Sequence, residues 1–148
     1  MELNKAMVGL TTKPYVVEVE KGHIRRFAQA IGDKNALYTD EDQAKESAFG
    51  HLVAPLTFPI ALTSEQGELP IQLDVRRMLH GEQSFIYHRM LQPGDQLTCQ
   101  MRVHDLYEKE GTQGKMQFLI LDIDMSDEQG NLVVTSRMNI IYRPLQKG

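Results

Sequence analysis

Hydrophobic and polar residues follow two different periods along this chain, a helical one near its beginning and an alternating one in its second half. The helical period covers residues 21–31 and predicts an amphipathic helix there. Four apolar residues share one face of that helix: Ile24, Phe27, Ala28 and Ile31. Gly32 follows at once, and a glycine at this position predicts the positive φ that ends a helix. A short strand is expected before the helix, at residues 15–19.

A second helical stretch is expected at residues 57–66, and its beginning is apolar on nearly every side. The side chains that make it so are Phe58, Ile60, Ala61 and Leu62. A helix without a polar face is a buried helix, so this segment is predicted to lie at the centre of the fold. Pro59 falls in its first turn, where the missing amide hydrogen does little harm, and Gly67 stops it. Between the two helices a shorter one is expected, with Thr39 or Asp40 as its cap.

The alternating period begins after residue 83 and predicts long strands with one buried face. The inward-facing residues form three groups: Leu97, Cys99, Met101 and Val103; Leu119, Leu121, Ile123 and Met125; Leu132, Val134, Met138 and Ile140. Turns are expected at residues 111–114 and 127–131. One buried helix followed by long antiparallel strands indicates an α+β fold, with a sheet wrapped around that helix. Residues 1–148 are enough for one such domain with a sizeable core.

Composition excludes several classes of function. Hydrophobic residues make up 41% of the chain and charged residues 24%, which is typical of a globular domain. The formal net charge of −4 gives no electrostatic support to nucleic-acid binding. No apolar run is as long as a membrane span, and the first residues lack the pattern of a signal peptide. The single cysteine, Cys99, excludes an internal disulfide and agrees with a reducing compartment, so we expect a cytoplasmic protein.

Three parts of the chain carry motifs: Ile-Gly-Asp-Lys-Asn-Ala-Leu-Tyr at residues 31–38, Val-Ala-Pro-Leu-Thr-Phe at 53–58, and residues 79–89 with Pro-Gly-Asp at 93–95. Together they resemble the MaoC-like (R)-specific enoyl-thioester hydratases and dehydratases, whose catalytic loop reads Gly-Asp-x-Asn-Pro-x-His. The resemblance covers most of the chain. It is closest to the MaoC-like N-terminal dehydratase domains, which include the non-catalytic subunits of (3R)-hydroxyacyl-carrier-protein dehydratases. It implies the hot-dog fold, whose subunits commonly pair edge to edge with acyl sites at the interface.

The loop keeps three residues of that family pattern and changes two. Gly32, Asp33 and Asn35 match, whereas Ala36 stands in place of proline and Tyr38 in place of the catalytic histidine. In the family, the aspartate and the histidine share the activation of water and the delivery of a proton. The resemblance therefore implies a degenerate catalytic site at Asp33 and Tyr38. A phenol has an ordinary pKa of about 10, so it donates a hydrogen bond readily but takes up a proton poorly near pH 7.

The same resemblance implies where an acyl thioester binds. In the family, its carbonyl oxygen is held by a backbone amide at the start of the central helix, with help from the helix dipole. An amide near Leu56 or Thr57 corresponds to that group. Asn35 and Pro55 are expected to line the same substrate site.

The histidines receive ordinary interpretations. His51 is expected at the rim of the acyl channel, and His80 and His88 in structural positions, with His88 in the core. His23 and His104 are expected to face solvent. No pair of histidines has metal-ligand spacing with a carboxylate or the cysteine, so we expect no metal and no cofactor.

Several functions stay open on the sequence. The first is an acyl-thioester-binding subunit of an enoyl-CoA or enoyl-carrier-protein hydratase, paired with a MaoC-like subunit that supplies the catalytic pair. The second is an autonomous homodimeric hydratase that uses Asp33. The third is a module that binds acyl-CoA or an acylated carrier protein without catalysis, or a structural homodimer; in that case Asp33 only binds nearby amides and Tyr38 only packs under the loop. A thioesterase ranks below the hydratase, because its acid would have to be Glu65, at the far end of the central helix.

Overall fold

The computed structural model describes residues 2–62 and 67–145, and these residues form five strands and two α-helices. The strands are β1 (Tyr15–Glu18), β2 (Met78–Tyr87), β3 (Gln96–Gly111), β4 (Gly114–Ser126) and β5 (Leu132–Tyr142). The helices are α1 (Lys21–Ala30) and α2 (Glu41–Lys45). Short 3₁₀ helices cover Lys5–Met7, Ala36–Tyr38, Phe58–Ala61 and Val75–Arg77. No helix in the described ranges is long and apolar enough to cross a bilayer.

The strands join one antiparallel sheet in the order β1-β3-β4-β5-β2. The two predicted turns connect β3 to β4 and β4 to β5, so the three longest strands are hairpin neighbours. β1 and β2 form the edges of the sheet, and neither has a strand on its outer side within the described part of the chain. The ten-residue β2 is the longer of these edges. An open edge of this length offers unpaired backbone groups to a second sheet.

The helix predicted at residues 21–31 is confirmed as α1, which packs against the inner face of the sheet. Ile24 and Ala28 are fully buried there, and Phe27 is half-buried. Ile31 lies beyond the last turn and is 49% exposed. The strand predicted before this helix is confirmed as β1.

The helix predicted at residues 57–66 is wrong in type and length. The described part of this segment is a four-residue 3₁₀ helix, and Leu62 leaves the helical region with φ −86° and ψ 74°. Phe58 and Pro59 are buried, but Ile60 is 44% exposed, so one side of the turn meets solvent. Pro59 lies in the first turn, where its missing amide hydrogen does little harm, so the helix ends through the change of backbone direction at Leu62. Residues 63–66 lie outside the described residues.

The core consists of two clusters, one toward each end of the sheet. The loop end is the end where β1 leads into α1 and its loop, and the hairpin end is the end that carries the β3–β4 turn. The loop-end cluster contains Tyr15, Val19, Ile24, Ala54, Phe58, Leu62, Leu91, Leu97, Cys99, Met125, Val133 and Val134. The hairpin-end cluster contains Leu3, Met7, Val103, Leu106, Leu119, Leu121, Ile140 and Tyr142. The residues predicted to face inward are buried or half-buried, apart from Leu132 at the start of β5, which is 40% exposed. The predicted α+β class is confirmed.

Candidate functional site

The candidate loop begins where α1 ends, and a glycine sets the direction of the chain. Gly32 has φ +72°, and its amide donates to the Gln29 carbonyl at 3.1 Å. The Asp33 amide donates to the Ala28 carbonyl at 2.9 Å. These two bonds form a Schellman motif, which satisfies the last carbonyls of the helix and turns the chain. The backbone of Asp33 is thereby fixed directly beyond the helix end.

Beyond this point, polar side chains stabilise successive turns of the loop by accepting hydrogen bonds from backbone amides two residues further along. Oδ1 of Asp33 accepts a hydrogen bond from the Asn35 amide at 3.0 Å, and Oδ1 of Asn35 accepts one from the Leu37 amide at 3.0 Å. Asp40 accepts bonds from two first-turn amides of α2, which confirms Asp40 rather than Thr39 as the cap. Asp33 is exposed. Its carboxylate therefore orders its own loop and remains accessible to solvent.

Tyr38 closes the loop and packs against the loop-end cluster, with part of its surface accessible. Burial raises the pKa of Tyr38 above its ordinary value of 10.0, the negative charge of Asp33 raises it further, and the Asn35 side chain lowers it. The structure thus brings together the three loop residues that the sequence singled out. A phenol with a raised pKa keeps its proton at neutral pH, so the Tyr38 hydroxyl can donate a hydrogen bond but is unsuited to act as a base.

The second predicted segment, Pro55 to Thr57, is tied to this loop through the backbone. The Val53 amide donates to the Leu37 carbonyl at 3.1 Å. Pro55 is buried, whereas Leu56 is 55% exposed and Thr57 is also exposed. Among the described residues, no backbone carbonyl accepts a hydrogen bond from the amide of Leu56 or of Thr57. Two such amides near the loop are suited to hold a carbonyl oxygen.

Tyr87 belongs to the same region, although the sequence pattern did not single it out. Its hydroxyl donates to the Leu56 carbonyl at 2.7 Å, from the last residue of β2 to the turn before the Phe58–Ala61 helix. Burial raises the pKa of Tyr87, so the hydroxyl stays protonated and remains a donor. The bond fixes the peptide unit whose amide hydrogen belongs to Thr57. Its partner lies 31 residues away in the sequence, so no local signal predicts the contact.

The expected positions of two histidines are wrong. His88 is exposed rather than part of the core, because it follows β2 on the side that also carries the exposed residues Ser84 and Ile86. His23, expected to face solvent, is half-buried. Its ring packs edge-on against the ring of Phe58, with 4.9 Å between the ring centroids.

Within residues 2–62 and 67–145, no histidine lies within ion-pair distance of the Asp33 carboxylate. His51 and His80 are exposed, and Nδ1 of His51 lies 2.8 Å from the carbonyl of the adjacent Leu52. In the part of the chain that the structure describes, the one histidine within ion-pair distance of a carboxylate is His104, whose Nδ1 lies 3.3 Å from Asp122. No group of three potential metal ligands gathers within residues 2–62 and 67–145.

A cavity of about 460 Å³ opens beside the loop. Tyr38 lines it together with polar and charged residues of α1, α2 and the connecting turn: Lys21, Arg25, Thr39, Asp40, Glu41 and Asp42. Asp33 lies outside this lining. Walls of this composition suit a polar ligand group better than an acyl chain. Glu65, the candidate acid of a thioesterase, lies outside the described residues.

Comparison with known proteins relates the whole chain to one kind of domain. A family model described as the FAS1-like dehydratase domain region matches residues 6–136. The chain is 36% identical over 149 residues to a UPF0336 protein of Thermobifida fusca, an alignment that covers 97% of this chain and 95% of that protein.

Solved structures agree with this relationship at the level of the fold. The HadBC (3R-hydroxyacyl-ACP dehydratase) complex of Mycobacterium tuberculosis contains a chain that matches with a TM-score of 0.78 at 21% identity, covering 94% of this chain and 99% of that chain. The (R)-hydratase from A. caviae involved in PHA biosynthesis matches with a TM-score of 0.65 at 19% identity, covering 93% and 96% of the two chains. The predicted hot-dog fold is confirmed.

Proposed function

The chain belongs to the FAS1-like dehydratase domain family, and from this premise we propose that it is the acyl-thioester-binding subunit of an (R)-specific enoyl-thioester hydratase. A second, MaoC-like subunit carries the aspartate–histidine pair, and this chain shapes the acyl site. The acyl group is carried by coenzyme A or by an acyl carrier protein. The HadBC complex, named as a (3R)-hydroxyacyl-ACP dehydratase, is a precedent for a dehydratase that works as a complex.

The observation that carries this proposal is the state of Tyr38. Hydration adds a hydroxyl group to the β-carbon of the enoyl thioester and a proton to its α-carbon. One group must therefore take a proton from water and another must deliver one. Tyr38 has a raised pKa and holds its proton, and among the described residues no histidine lies within ion-pair distance of Asp33. Asp33 alone can serve only one of these two proton transfers.

The backbone next to the loop supports retention of the binding half of the chemistry. The amides of Leu56 and Thr57 are available to the thioester oxygen, where negative charge develops during the reaction. Tyr87 holds the peptide between them. Because the Phe58–Ala61 helix is a single turn, its dipole contributes little, and the hydrogen bonds themselves supply the stabilisation.

Restoring the missing group tests the proposal directly. Purified wild-type protein is expected to hydrate crotonyl-CoA no faster than the solution background. Tyr38→His places an imidazole beside Asp33 and is expected to produce measurable hydration, at least about tenfold above wild type, since positioned acid–base groups contribute about 10²–10⁴-fold. Tyr38→Phe is the matched control, because it removes the hydroxyl without supplying a base. Loss of crotonyl-CoA absorbance at neutral pH measures all three proteins.

The second arm of the test addresses the subunit role. Adding a MaoC-like subunit with an intact aspartate–histidine pair is expected to give more hydration with wild-type protein than the catalytic subunit gives alone. Wild-type protein that hydrates crotonyl-CoA by itself, at a rate abolished by Asp33→Asn, would instead establish the autonomous homodimeric hydratase. A Tyr38→His variant that folds, as judged by its thermal unfolding, but gains no activity would argue for a non-catalytic binding module.

A further inference from the structure

Arginines surround a larger cavity at the hairpin end of the sheet, away from the Asp33 loop. The cavity has a volume of about 810 Å³, within the usual range for small-molecule sites. Segments far apart in the sequence form it: the turn before β2, the β3–β4 turn and the residues after β5. Its charged residues are Asp74, Arg76, Arg77 and Arg143, and Met116 and Pro144 are among its apolar ones. We call this cavity the arginine groove.

Hydrogen bonds hold these arginines in place without using all of their donors. Arg77 has a side chain only 6% exposed, and it donates to the Arg143 carbonyl at 2.6 Å and to Glu2 at 2.8 Å. Arg143 in turn donates to the Arg76 carbonyl at 2.8 Å. Nε of Arg143 is buried and has no hydrogen-bond partner among the residues that the structure describes.

The groove keeps an excess of positive charge. Asp74 is its one carboxylate, and it is occupied by Arg76, with Nε–Oδ1 at 2.9 Å and a second guanidinium nitrogen 2.7 Å from Oδ2. That hydrogen bonding lowers the pKa of Asp74 to about 2, so the carboxylate stays ionised. Glu2 pairs with Arg77. Within the described ranges, Arg143 has no carboxylate at ion-pair distance, in a chain whose formal net charge is −4.

We propose that the arginine groove binds the phosphate group of a phosphate ester. Guanidinium groups recognise phosphate oxygens through paired, charge-assisted hydrogen bonds, and several of them around one cavity fix both the position and the charge of the ligand. Met116 and Pro144 offer an apolar surface to the organic part of the ester. Coenzyme A and the phosphopantetheine of a carrier protein are both phosphate esters. The identification of this ester as the carrier of the acyl thioester rests on the proposed function.

The position of the groove fits a site shared between two subunits. In one protomer, the groove and the loop lie toward opposite ends of β2, which is about 33 Å long at about 3.3 Å per residue. If a two-fold axis pairs the β2 edges of two subunits, these strands run antiparallel. The groove of one subunit would then lie toward the loop end of the other. In that arrangement a phosphate held in the groove would direct its thioester arm toward the partner's loop.

Isothermal titration of the full chain tests the assignment with defined probes. The probes are coenzyme A, 3′-dephospho-coenzyme A, 4′-phosphopantetheine, pantetheine and inorganic phosphate. The test variant combines Arg76→Gln with Arg143→Gln and leaves the buried Arg77 in place. Arg26→Gln, which removes an exposed arginine of α1 outside the groove, is the matched control. Thermal unfolding establishes that each variant is folded.

Coenzyme A is expected to bind wild type and the Arg26→Gln variant alike, and the double variant at least tenfold more weakly. Added salt is expected to weaken the wild-type complex. Weaker binding of 3′-dephospho-coenzyme A than of coenzyme A identifies the 3′-phosphate as the ligand group. Equal binding of coenzyme A, 3′-dephospho-coenzyme A and 4′-phosphopantetheine identifies the phosphate on the pantetheine arm. Pantetheine, which has no phosphate, is expected to bind wild type and double variant equally.

Equal affinity of coenzyme A for wild type and the double variant would overturn the assignment, as would wild type binding none of the phosphate-bearing probes. The proposed function fails separately. If no chain containing Tyr38→His hydrates any thioester, but coenzyme A still depends on the two arginines, the phosphate site stands without the hydratase. Suppose instead that wild type with a MaoC-like subunit hydrates crotonyl-pantetheine and crotonyl-CoA equally well, and that the arginine variants bind coenzyme A as wild type does. The hydratase then stands without the phosphate site.

Discussion

The two ends of the sheet use their charged residues in different ways. At the loop end, Asp33, Asn35 and Asp40 each bind backbone amides two or three residues further along the chain. At the hairpin end, Arg77 connects Glu2 with the backbone of Arg143, groups separated from it by 75 and 66 residues. The Asp33 loop is therefore organised by hydrogen bonds within a few residues, whereas Arg77 is held by contacts that exist only in the folded chain.

This difference affects what each end can do. A carboxylate that caps its own turn is positioned at a small cost in conformational entropy, because few backbone dihedrals must be fixed for it. It also remains accessible to a ligand. A guanidinium that joins three segments is rigid and largely buried, so it supports its neighbours while their outer donors stay available. The loop end is thus suited to chemistry on a mobile substrate, and the hairpin end to holding a fixed anion.

The largest expected effect comes from breaking the hairpin end. Arg77→Ala removes two hydrogen bonds and the stacking of its guanidinium, which lies 4.1 Å from the centre of the Tyr142 ring. We expect the free energy of unfolding to fall by about 3 kcal/mol, because a partly buried carbonyl loses its donor and a buried side chain leaves a gap. Urea denaturation measures the change. Arg26→Ala, an exposed control, is expected to cost about 0.5 kcal/mol or less, and similar losses for both variants would contradict the structural role of Arg77.

High pH is expected to destabilise the loop end, where the titratable side chains of Cys99 and Tyr15 lie in the core. Burial raises the pKa of Cys99 to about 12. The pKa of Tyr15, its partner on β1, is also raised to about 12, by burial and then by Cys99. The folded protein therefore holds these protons to higher pH than the unfolded chain, so their contribution is complete below about pH 9 and is lost as pH rises toward 12.

We expect the free energy of unfolding to fall by about 2 kcal/mol between pH 9 and pH 11 from the cysteine alone. Cys99→Ala lowers stability at neutral pH, because it empties part of the core, but it is expected to make this alkaline loss shallower. Denaturation at a series of pH values measures both slopes. Parallel slopes for wild type and variant would show that the thiol does not titrate in this window.

The smallest expected effect comes from breaking a local cap at the loop end. Asp40→Ala removes the acceptor for two amides of α2 and is expected to cost about 1 kcal/mol. Glu46→Ala, at the other end of the same helix, is the matched control and is expected to change stability little. An Asp40→Ala loss as large as that of Arg77→Ala would show that the loop end is not local in its energetics. Chemical denaturation of the two variants decides this.

Much of the fold and part of the site were predictable because their causes are local. The apolar face of α1, the positive φ of Gly32 and the alternation of the long strands each follow from residues within one or two turns of each other. The grouping of Asp33, Asn35 and Tyr38 follows for the same reason, since eight consecutive residues contain the whole loop. The predicted buried helix was wrong because apolar residues indicate burial but not helix length, and the backbone turns away at Leu62.

The sequence by itself determined the class of the fold, the end of α1, and the placing of Tyr38 in one short loop with Asp33, since each depends on a short stretch of residues. Tertiary structure alone decided that Tyr87 supports the Leu56 carbonyl, that His88 lies at the surface, and that arginines from separate segments share one cavity. These contacts depend on strand register and on the pairing of distant segments. Register and pairing minimise the free energy of the whole chain, so no single segment contains the information for them.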